Sequence, residues 1–224
     1  MARLHDKLAD SLRLLPPDQG VHLLTRHSVR EQASNGFADY RLALTEQGIQ
    51  LARAWGALLD RPVERVASSP VGRCVDTAEA MMAGACESGL LAQPLPIEQS
   101  TVLVEPGCYV EDINAAVPHF MRLGALRFIN HHLTAGVDGL LSPAAGRDKL
   151  LDFLLERQPA PGHLALHVTH DTIIMAFVAE LMGWREVTSE HWPWMMEGVW
   201  LWFEKTQLHW VWRGEHHVTD LDPG

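Results

Sequence analysis

Short apolar runs alternate along the chain with longer segments in which apolar positions recur at helical spacing. The short runs predict strands near residues 21–25, 65–68, 163–169, 199–204 and 207–212. The longer segments predict helices near residues 46–59, 70–83, 111–130, 145–157 and 172–182. This order of elements is typical of an α/β fold in which a mainly parallel sheet carries helices on both faces.

Length and composition predict a single domain over residues 1–224. The chain has 224 residues, of which 47% are hydrophobic, and this is enough for one sizeable core. No linker rich in serine or glycine and no block of charge divides it. Between residues 87 and 161 the sequence has a proline-rich passage and helical stretches but no long strand pattern. We therefore expect residues 87–161 to form a small helical cap insertion above the carboxyl edge of the sheet.

The tryptophan-rich segment Val199–Trp212 predicts a β-hairpin. A turn at Glu204–Gln207 would place Phe203 opposite Leu208 and set the pairing of the other residues. Large aromatic area of this kind is most often buried in the core. A homodimer surface is the alternative use of the same side chains.

Charged residues follow three of the predicted strands at the point where each strand ends. The segment Arg26–Arg30, with the letters RHSVR, follows the first strand, and Arg73 falls near the start of the helix after the second. His170 and Asp171 lie between the strand 163–169 and the next helix. In an open α/β sheet, ligands bind at the carboxyl ends of the strands. Because an imidazole can attack phosphorus while guanidinium groups hold the phosphoryl oxygens, this edge predicts a phosphoryl site.

Four segments carry a resemblance to a known family. They are RHSVR at Arg26–Arg30, LTEQGIQLA at Leu44–Ala52, SSPVGRCVDTA at Ser68–Ala78 and HDT at His170–Thr172. They are spread in this order from about residue 21 to residue 172, which is roughly two thirds of the chain, and together they resemble the histidine phosphatase superfamily, also called phosphoglycerate mutase-like. The resemblance implies a phosphoglycerate mutase-like fold for the α/β domain.

The resemblance also implies roles for individual side chains. His27 would be the nucleophile that becomes a phosphohistidine. The phosphate pocket would consist of Arg26, Arg30, Arg73 and His170. The nearby guanidinium charges would keep His27 neutral, which is the form that can attack.

Two carboxyl groups are candidates for the proton donor to the leaving group. The HDT form resembles the acid phosphatase and phytase branch, which implies Asp171, and Asp171 is the expected donor because it directly follows His170. In the mutase-like branch a glutamate after the second arginine segment has this role, and Glu105 lies in the matching part of the chain. With Asp171 as donor, turnover should be best on the acid side of neutrality.

Charge and cysteine content restrict the partners and the compartment. The net charge of −10 argues against nucleic acid or an anionic membrane as a partner. The chain has no segment with the apolar length of a signal peptide or a membrane span, which predicts a cytoplasmic protein. Cys74, Cys86 and Cys108 are odd in number and are expected to be reduced.

Two pairs of adjacent histidines, His131-His132 and His216-His217, are predicted to lie on the solvated surface. They predict no metal site, because neither pair has a carboxylate or cysteine at ligand spacing.

These observations predict a metal-independent phosphomonoesterase without a cofactor. It would hydrolyse a small phosphorylated metabolite through a phosphohistidine on His27, so its partner would be a small-molecule phosphate ester. One alternative is a phosphoglycerate-type phosphomutase, which would return the phosphoryl group to a bound sugar acid. Another is a catalytically silent, phosphate-binding regulatory protein. Ser28 favours this second alternative, because it stands where the family usually has glycine and would strain a loop that needs positive φ.

Overall fold

The structure, a computed structural model, describes residues 3–32 and 40–221. Within these residues the α-helices are α1 Lys7–Ser11, α2 Glu46–Ala57, α3 Gly72–Glu87, α4 Ile113–Leu123, α5 Ala125–Ala135, α6 Pro143–Leu155 and α7 Asp171–Met182. The strands are β1 Val21–Arg26, β2 Val63–Ser68, β3 Ile97–Gln99, β4 Leu164–Thr169, β5 Gly198–Glu204, β6 Gln207–Trp212 and β7 Glu215–Asp220. All five predicted strands are present, as β1, β2, β4, β5 and β6.

The strands in the described part of the chain form one seven-stranded sheet in the order β3-β2-β4-β1-β5-β6-β7. Strands β1 to β4 are parallel to one another. Strand β5 pairs antiparallel with β1 and is followed by β6 and β7 in antiparallel order. The predicted parallel arrangement is therefore confirmed for the core of the sheet. Because β1, β2 and β4 are adjacent and run in one direction, their carboxyl ends lie side by side.

Apolar side chains pack on both faces of this sheet. Leu23 of β1 belongs to a buried cluster that includes Trp55 of α2 and residues of α3. Leu24, the next residue, belongs to the cluster on the other face, which includes Phe177 of α7 and residues of α5 and α6. Successive side chains of a strand point to opposite faces. Helices thus cover both faces of the sheet, as the sequence predicts.

Strands β5 and β6 form the predicted hairpin with the predicted register. Phe203 pairs with Leu208, and the pairs on either side follow from this one. Trp200 and Trp210 are almost completely buried, so the interpretation of these tryptophans as core residues is confirmed. Their alternative use in a homodimer stays a prediction.

The structure differs from the sequence prediction in the segment near residues 111–130. Instead of one helix, this segment forms α4 and α5, which meet at Gly124. Gly124 has a φ of 71°, a conformation that glycine adopts easily and that ends a helix. The sequence patterns also missed β3 and β7. Both are edge strands with mostly exposed side chains, so neither carries a strong apolar pattern.

The segment between α3 and β4 has the predicted helical content. Helix α6 packs against α7 and contributes to the core on one face of the sheet. Helix α4 packs against α5 and carries three exposed apolar side chains, Ile113, Val117 and Met121. The role of the segment as a cap stays a prediction. No helix in residues 3–32 and 40–221 is long and apolar enough to cross a membrane.

Candidate active site

The ends of β1, β2 and β4 are joined by backbone hydrogen bonds. The N–H of His27 donates to the carbonyl of Thr169 at 3.0 Å, and the N–H of Ser69 donates to the carbonyl of Val168 at 2.9 Å. These bonds extend the hydrogen-bonding pattern of the sheet just beyond the ends of the strands. As a result, the residues that follow the three strands are neighbours, as the sequence predicts from parallel order.

His27 has a defined tautomer. Its Nδ1 lies 2.8 Å from the carbonyl oxygen of Ser28, and its Nε2 lies 3.0 Å from the Nε of Arg73. Because a guanidinium N–H can only donate, Nε2 must accept, and Nδ1 therefore carries the proton. Burial, followed by the positive charge of Arg26, lowers the pKa of His27 well below its usual value. The imidazole is thus neutral, with the lone pair of Nε2 inside the site.

Arg73 and His170 form a second side of the site. Arg73 lies in the first turn of α3 and is almost completely buried. Its Nη2 is 3.5 Å from the Nδ1 of His170, and the Nε2 of His170 is 3.0 Å from the Oγ of Ser69. Burial and the charge of Arg73 lower the pKa of His170 to about 3, so this ring is also neutral. A cation at the start of a helix opposes the helix dipole, and a bound anion would relieve this conflict.

Arg26 and Asp171 form an ion pair at the edge of the site. The Nη2 of Arg26 is 2.5 Å from the Oδ2 of Asp171. The same oxygen accepts a hydrogen bond from the indole of Trp192 at 3.1 Å. Burial acts to raise the pKa of Asp171, but the charge of Arg26 and this hydrogen bond outweigh it, so the pKa is lowered. Asp171 is therefore an ionised carboxylate held by its neighbours.

Glu105 has the opposite electrostatic character. Burial and the negative charge of Asp171 raise the pKa of Glu105 to about 7. Its backbone carbonyl accepts a hydrogen bond from the hydroxyl of Tyr40 at 2.7 Å. A carboxyl group with this pKa retains its proton at neutral pH for a large fraction of the time. Two coupled carboxyl groups whose pKa values move apart are typical of an acid and base pair.

Arg30 differs from the other predicted phosphate ligands. Its Nη1 donates to the backbone carbonyl of Glu31 at 2.8 Å. Burial, followed by the charges of Arg73 and Arg26, lowers the pKa of Arg30. The charges of the cluster thus act on Arg30, although its side chain bonds to its own loop.

Ser28 fits its position without the expected strain. It is not among the described non-glycine residues that have positive φ. Its hydroxyl donates to the carbonyl of Gly48 at 2.7 Å, and its N–H donates to the Oγ1 of Thr77 at 3.0 Å. A Cβ on Gly48 would lie 2.1 Å from the carbonyl oxygen of Val29. The glycine in LTEQGIQLA thus allows α2 to pack directly against the loop that follows His27.

A loop that the motifs did not identify supports the ion pair. The carbonyl of Pro193 accepts from the Nη1 of Arg26 at 2.6 Å. Glu197 is buried and binds Arg213, which also donates to the carbonyls of residues 190 and 192. This network holds the loop that supplies Trp192 and Pro193. Proline and tryptophan in HWPWMMEG were the available signal, but nothing in the sequence indicated their partners.

The structure contradicts the surface prediction for His132. His216 is exposed as predicted, but His132 is only 2% exposed, so its assignment to the solvated surface is wrong. The adjacent residues of a helix point in different directions, and His132 points inward while His131 is exposed. Within the described residues, no group of three or more His, Cys, Asp or Glu side chains is arranged to hold a metal ion.

The assembled site has the chemistry needed to bind and accept a phosphoryl group. It combines a neutral imidazole, guanidinium groups and a carboxyl group that retains a proton. The sequence profile of the histidine phosphatase superfamily, branch 1, matches residues 22–212. The chain belongs to the histidine phosphatase superfamily. The match does not show the resemblance of the HDT segment to acid phosphatases and phytases.

Solved structures with the phosphoglycerate mutase-like fold resemble this superfamily member throughout. Bacillus stearothermophilus YhfR has a TM-score of 0.57 and 16% identity, and the alignment covers 87% of this chain and 96% of that one. A phosphoglycerate mutase from Bacillus anthracis str. Sterne has a TM-score of 0.54 and 14% identity, with 91% and 94% covered. A mycobacterial glucosyl-3-phosphoglycerate phosphatase has a TM-score of 0.53 and 20% identity, with 88% and 100% covered. These likenesses show the shared fold. No curated protein sequence matches the chain.

Proposed function

We propose that the protein is a metal-independent phosphomonoesterase that forms a phosphohistidine on His27. The observation that supports this most directly is the pair of hydrogen bonds on the His27 ring. The bond from Nδ1 to the Ser28 carbonyl fixes the tautomer, and the bond from Arg73 marks the direction of the Nε2 lone pair. The substrate is a small phosphorylated metabolite.

The reaction has two steps. In the first, Nε2 of His27 attacks phosphorus, the bond from phosphorus to the ester oxygen breaks, and the leaving oxygen takes a proton. In the second, water attacks phosphorus, the bond from phosphorus to Nε2 breaks, and the water gives its proton to the carboxylate that donated in the first step. Inorganic phosphate and neutral His27 are released. Charge on the transferring group is spread over its equatorial oxygens, and arginine is well suited to hold them. Arg26, Arg30, Arg73 and His170 have this role in the proposal.

We assign the proton donor to Glu105 rather than to Asp171, which was the expected donor. Asp171 has a lowered pKa and both of its oxygens are bonded, one to Arg26 and Trp192 and the other to the N–H of Thr172. Glu105 has a pKa of about 7 and can therefore donate to the leaving oxygen and then accept the proton of water. Asp171 instead holds Arg26 in place.

The proposed function is tested with a panel of phosphate esters and inorganic phosphate as the readout. The wild type should release phosphate from some esters without a bisphosphate primer, and His27→Ala should release none while it remains folded. Phosphate binding without turnover by the wild type would instead support the silent regulatory protein. Transfer to a bound sugar acid without release of phosphate would support the mutase.

The unpaired state of Cys74, Cys86 and Cys108 fits the expected cytoplasmic setting.

A further inference from the structure

A cavity adjoins the carboxyl group that we assign as the proton donor. Its volume is about 250 Å³, and Glu105 and Thr172 line it together with Tyr40. The ring centroid of Tyr40 lies 5.8 Å from the Cζ of Arg73, so this end of the cavity lies beside the site of phosphoryl transfer. A group attached to the leaving oxygen would therefore extend into this space.

The rest of the cavity wall is mostly apolar. Helices α4, α5 and α7 supply side chains such as Val117, Phe120, Phe128 and Ile173. Among the described lining residues there is no lysine or arginine, and the acidic one is Glu105. A carboxylate or a second phosphate in this space would lose its hydration without gaining a positive partner. The wall is thus suited to an uncharged and mainly apolar ligand.

Two buried side chains in the wall, Tyr109 and His132, have polar atoms that lack a hydrogen-bond partner among the described residues. His132 lines the cavity and is 2% exposed, and neither of its ring nitrogens has a hydrogen-bond partner among the described residues. Buried polar groups are almost always hydrogen-bonded. A polar atom on an otherwise apolar ligand would satisfy this imidazole, which is an independent indication that the space receives a ligand.

We propose that this cavity binds the alcohol part of the phosphate ester, and that this alcohol is a mainly apolar group about as large as a naphthyl ring. The proposal rests on the proposed phosphomonoesterase function. A cavity of about 150 Å³ is enough to bind benzene, so the larger volume here accommodates two fused rings or a branched chain of similar size. The exposed side chains of Val117 and Met121 continue the apolar surface at the outer part of the cavity.

The test compares two esters of primary alcohols, naphthalen-2-ylmethyl phosphate and glycerol 3-phosphate. Both need a proton on the leaving oxygen, so the comparison isolates the alcohol group. We expect kcat/KM to be higher for the naphthylmethyl ester by about tenfold or more, because burial of an aromatic group of this size stabilises binding by that factor. Equal values, or a preference for glycerol 3-phosphate, would overturn the proposal and leave the phosphatase function intact.

A matched pair of variants locates the effect. Val117 and Val218 are similarly exposed, at 45% and 48%, but only Val117 lines the cavity. In Val117→Asp, the ratio of the two kcat/KM values should fall by about tenfold, because the new charge meets the apolar ligand. Val218→Asp should leave the ratio unchanged. If the ratio of the two kcat/KM values were the same in Val117→Asp as in Val218→Asp, the preference would arise elsewhere. That result would overturn the assignment of the cavity.

Binding of the product alcohol separates failure of the cavity from failure of the enzyme. Naphthalen-2-ylmethanol can be titrated calorimetrically into the wild type and into both variants, and this needs no turnover. If no ester releases phosphate, the proposed function fails. If the alcohol nevertheless binds, and Val117→Asp weakens this binding while Val218→Asp does not, the cavity remains a site for an apolar ligand. If the alcohol does not bind, the assignment of the cavity is overturned as well.

Discussion

The Nε of Arg73 lies 3.0 Å from the Nε2 of His27, which is the nitrogen that carries the lone pair. This contact joins the helix after β2 to the loop after β1 and aligns a guanidinium with the expected line of attack on phosphorus. When a phosphoryl group binds between them, the same fork can donate to its oxygens. The relationship explains why an arginine is buried in the first turn of α3.

Replacement of Arg73 by lysine should therefore reduce kcat by about 10²–10³-fold, the usual effect of removing one donor to a transition state. Lysine keeps the charge but loses the planar fork. Hydrolysis of p-nitrophenyl phosphate measures the loss. Arg61→Lys is the matched control, since Arg61 is also buried but pairs with Asp60 away from the site. Similar activities of the two variants would contradict the role of Arg73.

Removal of the proton donor should depend on the leaving group. We expect Glu105→Gln to reduce kcat/KM for an alkyl phosphate by about 10²–10⁴-fold, because the alkoxide then leaves without a proton. The loss for p-nitrophenyl phosphate should be much smaller, since its phenolate leaves easily.

Asp171→Asn is the comparison for this variant. Because Asp171 positions Arg26, the loss should be about equal for the two esters. If instead only Asp171→Asn lost more activity on the alkyl phosphate than on p-nitrophenyl phosphate, Asp171 would be the proton donor.

The pH dependence follows from the pKa of Glu105. This carboxyl is protonated below a pKa of about 7 and ionised above it, so the donor is lost as the pH rises through that value. The lowered pKa of His27 keeps the nucleophile neutral on the acid side of this point. For an alkyl phosphate, kcat/KM should thus fall about tenfold per pH unit above neutrality. A rate that climbs steadily to about pH 9 would contradict this assignment.

Replacement of Ser28 should affect stability rather than turnover. Ser28→Ala removes the hydrogen bond to the Gly48 carbonyl, which should lower the free energy of unfolding by about 1 kcal/mol. Because the Ser28 carbonyl still accepts from His27, kcat/KM should stay within about twofold of the wild type. Urea unfolding and ester hydrolysis measure the two effects. A large gain of activity on loss of the hydroxyl would instead show that Ser28 suppresses catalysis.

The elements that could be predicted from sequence are those with strong apolar patterns. Strands β1 and β4 are continuous buried runs, and the β5–β6 hairpin has a turn that fixes the Phe203–Leu208 pair. The exposed edge strand β7 lacks such a pattern. The break between α4 and α5 depends on the positive φ of Gly124. When a glycine lies within an apolar helical pattern, the sequence alone does not show whether its φ is positive.

The charged residues of the site could be predicted because they follow strands that are parallel. Their electrostatic roles could not, since the pKa values of Glu105 and Asp171 depend on burial and on which of them contacts Arg26. The contacts of Tyr40 and Trp192 with the site were missed for a similar reason. Both reach the site from loops, and no periodic pattern in the sequence records such long-range contacts.

The most direct test of the account is to trap the covalent intermediate on His27. The wild type is mixed with p-nitrophenyl phosphate, quenched at alkaline pH within one turnover, digested and analysed by mass spectrometry. We predict one phosphoryl group on the peptide that contains His27, and none on that peptide in His27→Ala. Turnover by the wild type without any phosphorylated His27, or with the phosphoryl group on another residue, would contradict it.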